Sequence, residues 1–242
     1  MQYTFRLVQN VTPAKSPIVY GKGNITMTTL YLVRHCEAMG NIRRIFQGHT
    51  DEDISENGRC QLLRLTERFR DIPLDALYSS PLRRAMRTAE AINGAHGLEI
   101  VQDRRLIEIN GGVWEGKPWK ALPVLCPIQS SKWNRAPWNF HPRKGEAMRE
   151  VYARMAAALT DIAAAHPDGT VAVASHGCAI RNALCWAKGW PIERLNEVGW
   201  CDNTGVSVLQ FEEGRVELLL ENDNSHLGEE LSTFAKQTWW KA

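Results

Sequence analysis

The stretch Thr28-Thr-Leu-Tyr-Leu-Val-Arg-His-Cys-Glu-Ala38 decides how the rest of the chain is read. Its first six residues are β-branched, aromatic or aliphatic, and the run stops abruptly at charge. That reads as a short buried strand of an α/β sheet. Arg34 and His35 then stand just past its carboxyl end, where open α/β sheets place their ligands. A guanidinium beside an imidazole is a poor way to build a core. It is a good way to hold a phosphoryl group, because arginine binds oxygens bidentately and an imidazole can attack phosphorus. Taken alone, a satisfied surface histidine is the simpler reading, so the weight falls on what the rest of the chain supplies.

Outward from this strand, helices and strands alternate. A polar loop from Met39 to Glu56 holds Asn41, Arg43, Arg44, Gln47 and His49, and Ser55-Glu-Asn-Gly58 opens a helix whose apolar positions are Leu62, Leu65 and Phe69. Leu74–Tyr78 is the next strand. Ser79-Ser-Pro-Leu-Arg-Arg84 turns into a helix, with Ser80 as cap and Pro81 at the first helical position. Glu99–Val101 is a short strand, and Arg104–Gly145 is less regular and rich in Trp, Pro and basic residues. A long helix follows from Glu146, its apolar face formed by Met148, Val151, Met155, Leu159 and Ile162. Thr170-Val-Ala-Val-Ala-Ser175 is a buried strand ending at His176-Gly177; a helix over 178–188 and strands at Gly205–Phe211 and Arg215–Leu220 complete the order. The expected fold is α/β: three layers, α/β/α, with a mostly parallel central sheet and a small irregular lid insert over 109–145. Residues 1–26 alternate polar and apolar side chains and lack the apolar core of a signal peptide. They read as a poorly ordered arm or an added edge strand, with Met27 a candidate start and 27–242 the domain.

Length and composition suit this. The chain has 242 residues, 44% hydrophobic and 23% charged, as expected of one globular α/β domain with an insert. A net charge of +2 is too small to argue for nucleic acid or an acidic membrane as partner. The cysteines at 36, 60, 126, 178, 185 and 201 form no CxxC pair and no metal-finger spacing, which suits a reducing cytoplasm. No apolar run is long enough for a membrane span. No His or carboxylate pair has metal-ligand spacing on an expected element, so neither metal nor cofactor is expected.

In a parallel sheet the strand ends fall on one edge. Arg34 and His35, then Arg83 and Arg84, then Ser175 and His176 therefore converge, and their mutual repulsion would cost roughly several kcal/mol in a low-dielectric site. A bound dianion removes the conflict, and helix N-termini near 81 and 177 would add N–H donors at the same spot. Four segments in this order, Leu32–Ala38, Tyr78–Ala89, Leu106–Gly116 and Ala174–Gly177, resemble the histidine phosphatase superfamily, the phosphoglycerate mutase-like two-histidine phosphoryl-transfer enzymes. The resemblance runs from Thr28 to Leu220.

The resemblance implies that His35 becomes phosphohistidine, that Arg34, Arg84 and His176 hold the phosphoryl oxygens with Asn41 assisting, and that Glu108 protonates the leaving oxygen. Arg84 is preferred to Arg83 only because the family's arginine directly precedes an alanine. Gln47, in the same polar loop as Asn41, joins the phosphate-binding candidates. The chemistry stands without a metal: phosphoryl transfer needs positioning and positive charge, and a covalent imidazole intermediate splits it into two steps. Asn203-Thr204 is placed near the pocket. His226 resembles a tail motif of related phosphatases, with a structural hydrogen bond as the alternative. His49, His96, His141 and His166 are read as solvent-facing.

One departure is Cys36, where the family usually has Gly; a side chain there either tightens the pocket or is simply tolerated. It also raises a rival, the cysteine-dependent phosphatases, whose phosphate loop reads His-Cys, five residues, Arg. Here that offset carries Ile42, and a loop whose every N–H must aim at one anion cannot absorb the slip. The expected function is a metal-independent phosphomonoesterase acting on a small phosphorylated metabolite, with a homodimer left open. A phosphoglycerate mutase is the alternative within the family, and a non-catalytic sensor of a phosphorylated ligand is the alternative outside it. Glu108 and His176 are 68 positions apart, as in the family's phosphatases, whereas cofactor-dependent mutases carry a longer insert there.

Overall fold

The computed structural model describes residues 26–237, so the arm expected over 1–26 lies outside the described residues except for Thr26. In chain order the elements are β1 (Met27–Arg34), α1 (Met39–Arg43), α2 (Glu56–Phe69), β2 (Ala76–Ser79), α3 (Arg83–Ile92) and β3 (Ile100–Gln102). There follow α4 (Leu122–Leu125), α5 (Pro127–Arg135), α6 (Met148–Ala165), β4 (Thr170–Ser175), α7 (Gly177–Ala187), β5 (Val206–Glu212), β6 (Arg215–Asp223), α8 (Gly228–Leu231) and α9 (Thr233–Lys236).

Strand periodicity of two builds the layers. On β1, Leu30 and Leu32 face one core with Val171 and Val173 of β4, under α6 and α7. Val33 faces the other with Leu77, Ala172 and Ala174, under Leu65 and Phe69 of α2 and Ala89 and Ile92 of α3. The six-stranded sheet has the order β3-β2-β4-β1-β5-β6. Its first four strands are mutually parallel, and β5 and β6 add antiparallel. The fold is therefore the expected three-layer α/β/α arrangement on a mixed, mostly parallel sheet.

The register sets the site. Arg34 pairs with Ser175 and Ser79 with Ala174, so β1 and β4 end at one level and β2 one residue lower, with His35, Ser80 and His176 each one residue beyond its strand. Serine 80 does not cap a helix as expected: α3 starts at Arg83 with Leu82 at its N-cap, which frees the Ser80 side chain for the sheet edge.

The 109–145 insert is more regular than expected, because α4 and α5 lie within it. Trp114, Trp119 and Trp133 pack on one another. Trp114, 1% exposed, meets Phe140 at 4.8 Å between ring centroids, while Phe46 meets Trp114, Trp119 and Trp133 at 5.5, 5.1 and 5.6 Å. Three of these four pairs are edge-on, and such pairs each add about 0.5–1.5 kcal/mol beyond burial. The lid is thus pinned from below by a residue of the polar loop.

Candidate active site

His35 leaves β1 with its backbone fixed on both sides. Its N–H donates to Ser175 O at 2.9 Å, and its carbonyl accepts from Asn203 Nδ2 at 2.8 Å. In the side chain, Nδ1 lies 2.7 Å from the Cys36 carbonyl, which can only accept, so Nδ1 carries the proton and the Nε2 lone pair is the one left to react. Burial first, then Arg84 and Arg34, hold this imidazole well below its ordinary pKa. It is neutral and nucleophilic at neutral pH.

His176 stands opposite, its ring centroid 5.2 Å from that of His35. Ser80 Oγ lies 2.7 Å from its Nε2 and also accepts the Leu82 N–H at 3.4 Å. The ring's other nitrogen, Nδ1, is a buried atom with no partner among the described residues. Burial and Arg84 depress this histidine's pKa as well.

The arginines are held by carbonyls. Arg84 is fully buried and donates to Thr50 O and Gly48 O, both at 2.8 Å; burial lowers its pKa to about 10, so it stays a cation. A glycine is required at 48, since a Cβ there would sit 2.1 Å from Ile109 O. Arg83, by contrast, is exposed and pairs with Asp51. Arg34 donates from Nη1 to Cys201 O. Arg34 Nε and Arg84 Nε, like His176 Nδ1, are buried without a partner among the described residues.

Glu108 lies at the amino end of α7. Its Oε2 accepts from Cys178 N at 3.0 Å, and Oε1 from Ala179 N at 3.1 Å and Ile109 N at 2.8 Å. The α7 donors expected to face an anion thus face Glu108. Burial raises the carboxyl pKa, while these N–H groups and Arg84 pull the other way. The net shift is upward, with burial outweighing the donors.

Asn41 Oδ1 accepts the Ala38 N–H at 3.0 Å, which ties it to its own helix start. Gln47 lies against Gly40, where a Cβ would come within 2.0 Å of its side chain, and its Oε1 is buried without a partner. Among the described residues no cluster of three or more His, Cys, Asp or Glu side chains is placed to hold a metal ion.

Cys36 is fully buried, and its backbone is not among the positive-φ positions, so glycine's special freedom is not needed there. Its N–H donates to Thr88 Oγ1 at 3.0 Å, and burial pushes the thiol up to about 12. A thiolate nucleophile requires the opposite shift. The cysteine-phosphatase rival fails on this chemistry.

Sequence reasoning missed several supports. Glu115 collects the N–H groups of His49, Thr50 and Gly111 at 2.9, 2.9 and 2.7 Å, and so shapes the loop whose carbonyls hold Arg84. Its only signal is a carboxylate between Trp114 and Gly116. Trp200 closes the rim: a Cβ on Gly177 would lie 3.3 Å from Arg34 Nε and 3.6 Å from Trp200 Cζ3. Trp133 stacks on Trp200 at 6.1 Å, which joins the insert to the Arg34 side of the site. The expectation of solvent-facing histidines is corrected at two positions. His96 bonds Phe69 O at 3.0 Å and His166 bonds the Tyr78 hydroxyl at 3.0 Å, both part-buried. His49, though exposed, donates to Glu108 O at 3.1 Å.

Many known proteins are similar to this chain. Phosphoserine phosphatase 1 of Hydrogenobacter thermophilus is 35% identical over 84% of this chain and 96% of its own length. A protein named probable phosphoglycerate mutase, from Erwinia tasmaniensis, is 34% identical over 76% of this chain and all of its own. Among solved structures, YhfR of Bacillus stearothermophilus superposes with a TM-score of 0.79 at 34% identity, covering 82% of this chain and 98% of that one. The model of the histidine phosphatase superfamily, branch 1, matches residues 30–224, and with the two imidazoles and two guanidinia gathered at one sheet edge the chain belongs to that superfamily.

Proposed function

We propose that the protein is a phosphomonoesterase that hydrolyses small phosphorylated metabolites through a phosphohistidine on His35. One observation carries the reading: two imidazoles with depressed pKa, 5.2 Å apart, lie among one buried and one half-buried guanidinium, and three buried nitrogens of this cluster, Arg34 Nε, Arg84 Nε and His176 Nδ1, have no partner among the described residues. A phosphoryl dianion supplies the acceptors and offsets the charge.

In the first step His35 Nε2 attacks phosphorus, the ester P–O bond breaks, and the electron pair leaves on the alkoxide, which takes the Glu108 proton. Arg34, Arg84 and His176 stabilise the equatorial oxygens. Water then attacks the phosphohistidine, the N–P bond returns its pair to His35, and Glu108 accepts the water's proton. The relatives' names supply the candidates for the ester, phosphoserine first among them. Scattered cysteines, all free thiols, fit work in the cytoplasm. Among the described residues no helix is long and apolar enough to cross a membrane.

The test is phosphate release across a panel of phosphorylated metabolites, with and without chelator, alongside isomerisation of 3-phosphoglycerate supplied with its bisphosphate cofactor. Release that survives chelator and outpaces isomerisation is expected. Isomerisation faster than release for any ester assigns the mutase reading, which the similarity to the Erwinia tasmaniensis protein keeps in play.

A further inference from the structure

The turn Cys201–Gly205 wraps the end of β1. Cys201 O accepts from the Arg34 side chain, Gly205 O accepts the Arg34 N–H at 3.1 Å, and the Thr204 N–H reaches Arg34 O at 3.1 Å and His35 O at 3.4 Å. Together with Asn203 Nδ2 on His35 O, these bonds locate the nucleophile's backbone. The turn is closed within itself by the Gly205 N–H on Asp202 O at 3.0 Å and the Asn203 N–H on Asp202 Oδ1 at 2.8 Å, but one conformation in it is costly. Thr204 has φ +56°, a left-handed conformation that a β-branched residue keeps only when its surroundings impose it.

The C-terminal segment supplies part of those surroundings. His226 lies between Arg68 Nη1, 3.0 Å from its Nδ1, and Thr204 Oγ1, 3.1 Å from its Nε2. A guanidinium cannot accept, so Nδ1 accepts from Arg68 and the imidazole proton sits on Nε2, donated to Thr204. Arg68 is itself anchored on Asp223 at 2.6 Å. Beside this, buried Asp202 accepts from Asn224 Nδ2 at 3.0 Å and Ser232 Oγ at 2.6 Å, and the segment's far end is tied to α2, where Gln61 Nε2 donates to Leu231 O at 2.8 Å. Thr233 Oγ1 adds a bond to Glu37 at 3.2 Å, two residues past His35. Burial lowers the His226 pKa to about 4, so the ring remains the neutral tautomer this chain of bonds needs.

We infer that His226 is a positioning residue for the nucleophile: residues 224–233 form a latch that holds Thr204, and through it the His35 backbone, in the attacking register. The inference rests on the phosphohistidine reading of His35. Misplacing a reacting group by about 1 Å costs about a hundredfold in rate, so a latch acts on the phosphorylation step far more than on binding.

The test is rapid-quench phosphorylation of the full chain by an activated aryl phosphate, on the wild type, His226→Ala, His226→Gln and Thr204→Val. His226→Ala should lower the phosphorylation rate constant tenfold or more with KM changed less than threefold. His226→Gln, which restores a donor toward Thr204, should recover most of the rate. Thr204→Val removes the hydroxyl at nearly constant volume and gives a second, milder break of the same bond if His226→Ala does not fold. A folded His226→Ala or Thr204→Val that phosphorylates within twofold of the wild type overturns the latch. If the wild type itself forms no phosphohistidine, the functional reading falls instead. The nitrogen resonances of the His35 ring then decide the latch separately: a shift in Thr204→Val upholds it and an unchanged ring overturns it.

Discussion

Replacing Glu108 by glutamine separates two things the carboxyl does. The amide keeps an oxygen for Ile109 N and Ala179 N, which both bind Oε1, but turns an NH2 toward the Cys178 N–H that Oε2 accepts at 3.0 Å. One buried N–H loses its acceptor, at a cost of about 1–3 kcal/mol. A domain with a typical stability of about 5–15 kcal/mol stays folded. The catalytic loss depends on the leaving group. Removing a general acid costs about 10²–10⁴-fold for an alkyl ester, or about 2.7–5.4 kcal/mol at about 1.36 kcal/mol per decade. An aryl ester with a stable leaving anion hardly needs the proton and should slow by less than about tenfold. The pH profile carries the same signature. Burial raises the Glu108 pKa, so alkyl phosphorylation should fall as pH rises through it, and aryl phosphorylation should not. The assay is pre-steady-state phosphorylation with both esters, because a shared dephosphorylation step would mask the contrast in steady state. Equal slowing of both esters by Glu108→Gln, with His176→Ala discriminating between them, would reverse the two roles.

Other outcomes follow from the same geometry. His35→Ala should abolish an acid-labile, base-stable phosphoprotein, whereas Cys36→Ala should phosphorylate within about threefold of wild type, because its thiol is pushed up to about 12; a phosphoenzyme that requires Cys36 would overturn the assignment. Arg84→Lys should lower kcat/KM by about 10²–10³-fold, since an ammonium cannot hold Thr50 O and Gly48 O and still present a planar donor to the phosphate, while Arg83→Ala should leave it within about twofold. Unfolding by urea should show stability falling with acidity from about pH 6.5, the ordinary imidazole value, because His35, His176 and His226 are lowered on folding and only the unfolded chain takes up their protons. The His226 share ends near pH 4, and His226→Gln should flatten the curve between pH 6.5 and 5; an unchanged slope there would mean that His226 is not held neutral.

Local pattern carries the sheet and not the loops. The alternation through Leu30, Leu32, Val171 and Val173 makes both central strands legible, and parallel pairing then forces Arg34, His35 and His176 onto one edge. The identity of the arginine is not legible from periodicity, because Arg83 and Arg84 differ only in the direction each leaves α3. Ser80 reads as a cap since Ser-Pro so often opens a helix; what wins is a tertiary partner, His176, 96 residues away. Glu115 and Trp200 escape notice for the same reason, because their partners come from distant loops with no fixed spacing. Glu108 is the instructive case: helix-end reasoning rightly finds N–H donors near 177, but the carboxylate, not the phosphate, is what they meet.

The lid has a consequence for how such a protein diversifies. The groups gathered around the two histidines are contributed by several separate segments, whereas the roof is one contiguous run of chain. Its entry is marked where Pro118 bridges Ile45, and its exit where Phe140 packs on Trp114 and Trp133. Glu115, which supports the Arg84 loop, falls before that entry. A graft confined to residues 119–139 that keeps Leu122 in the core and Trp133 on Trp200 should therefore leave the Arg84 loop and the two histidines in place.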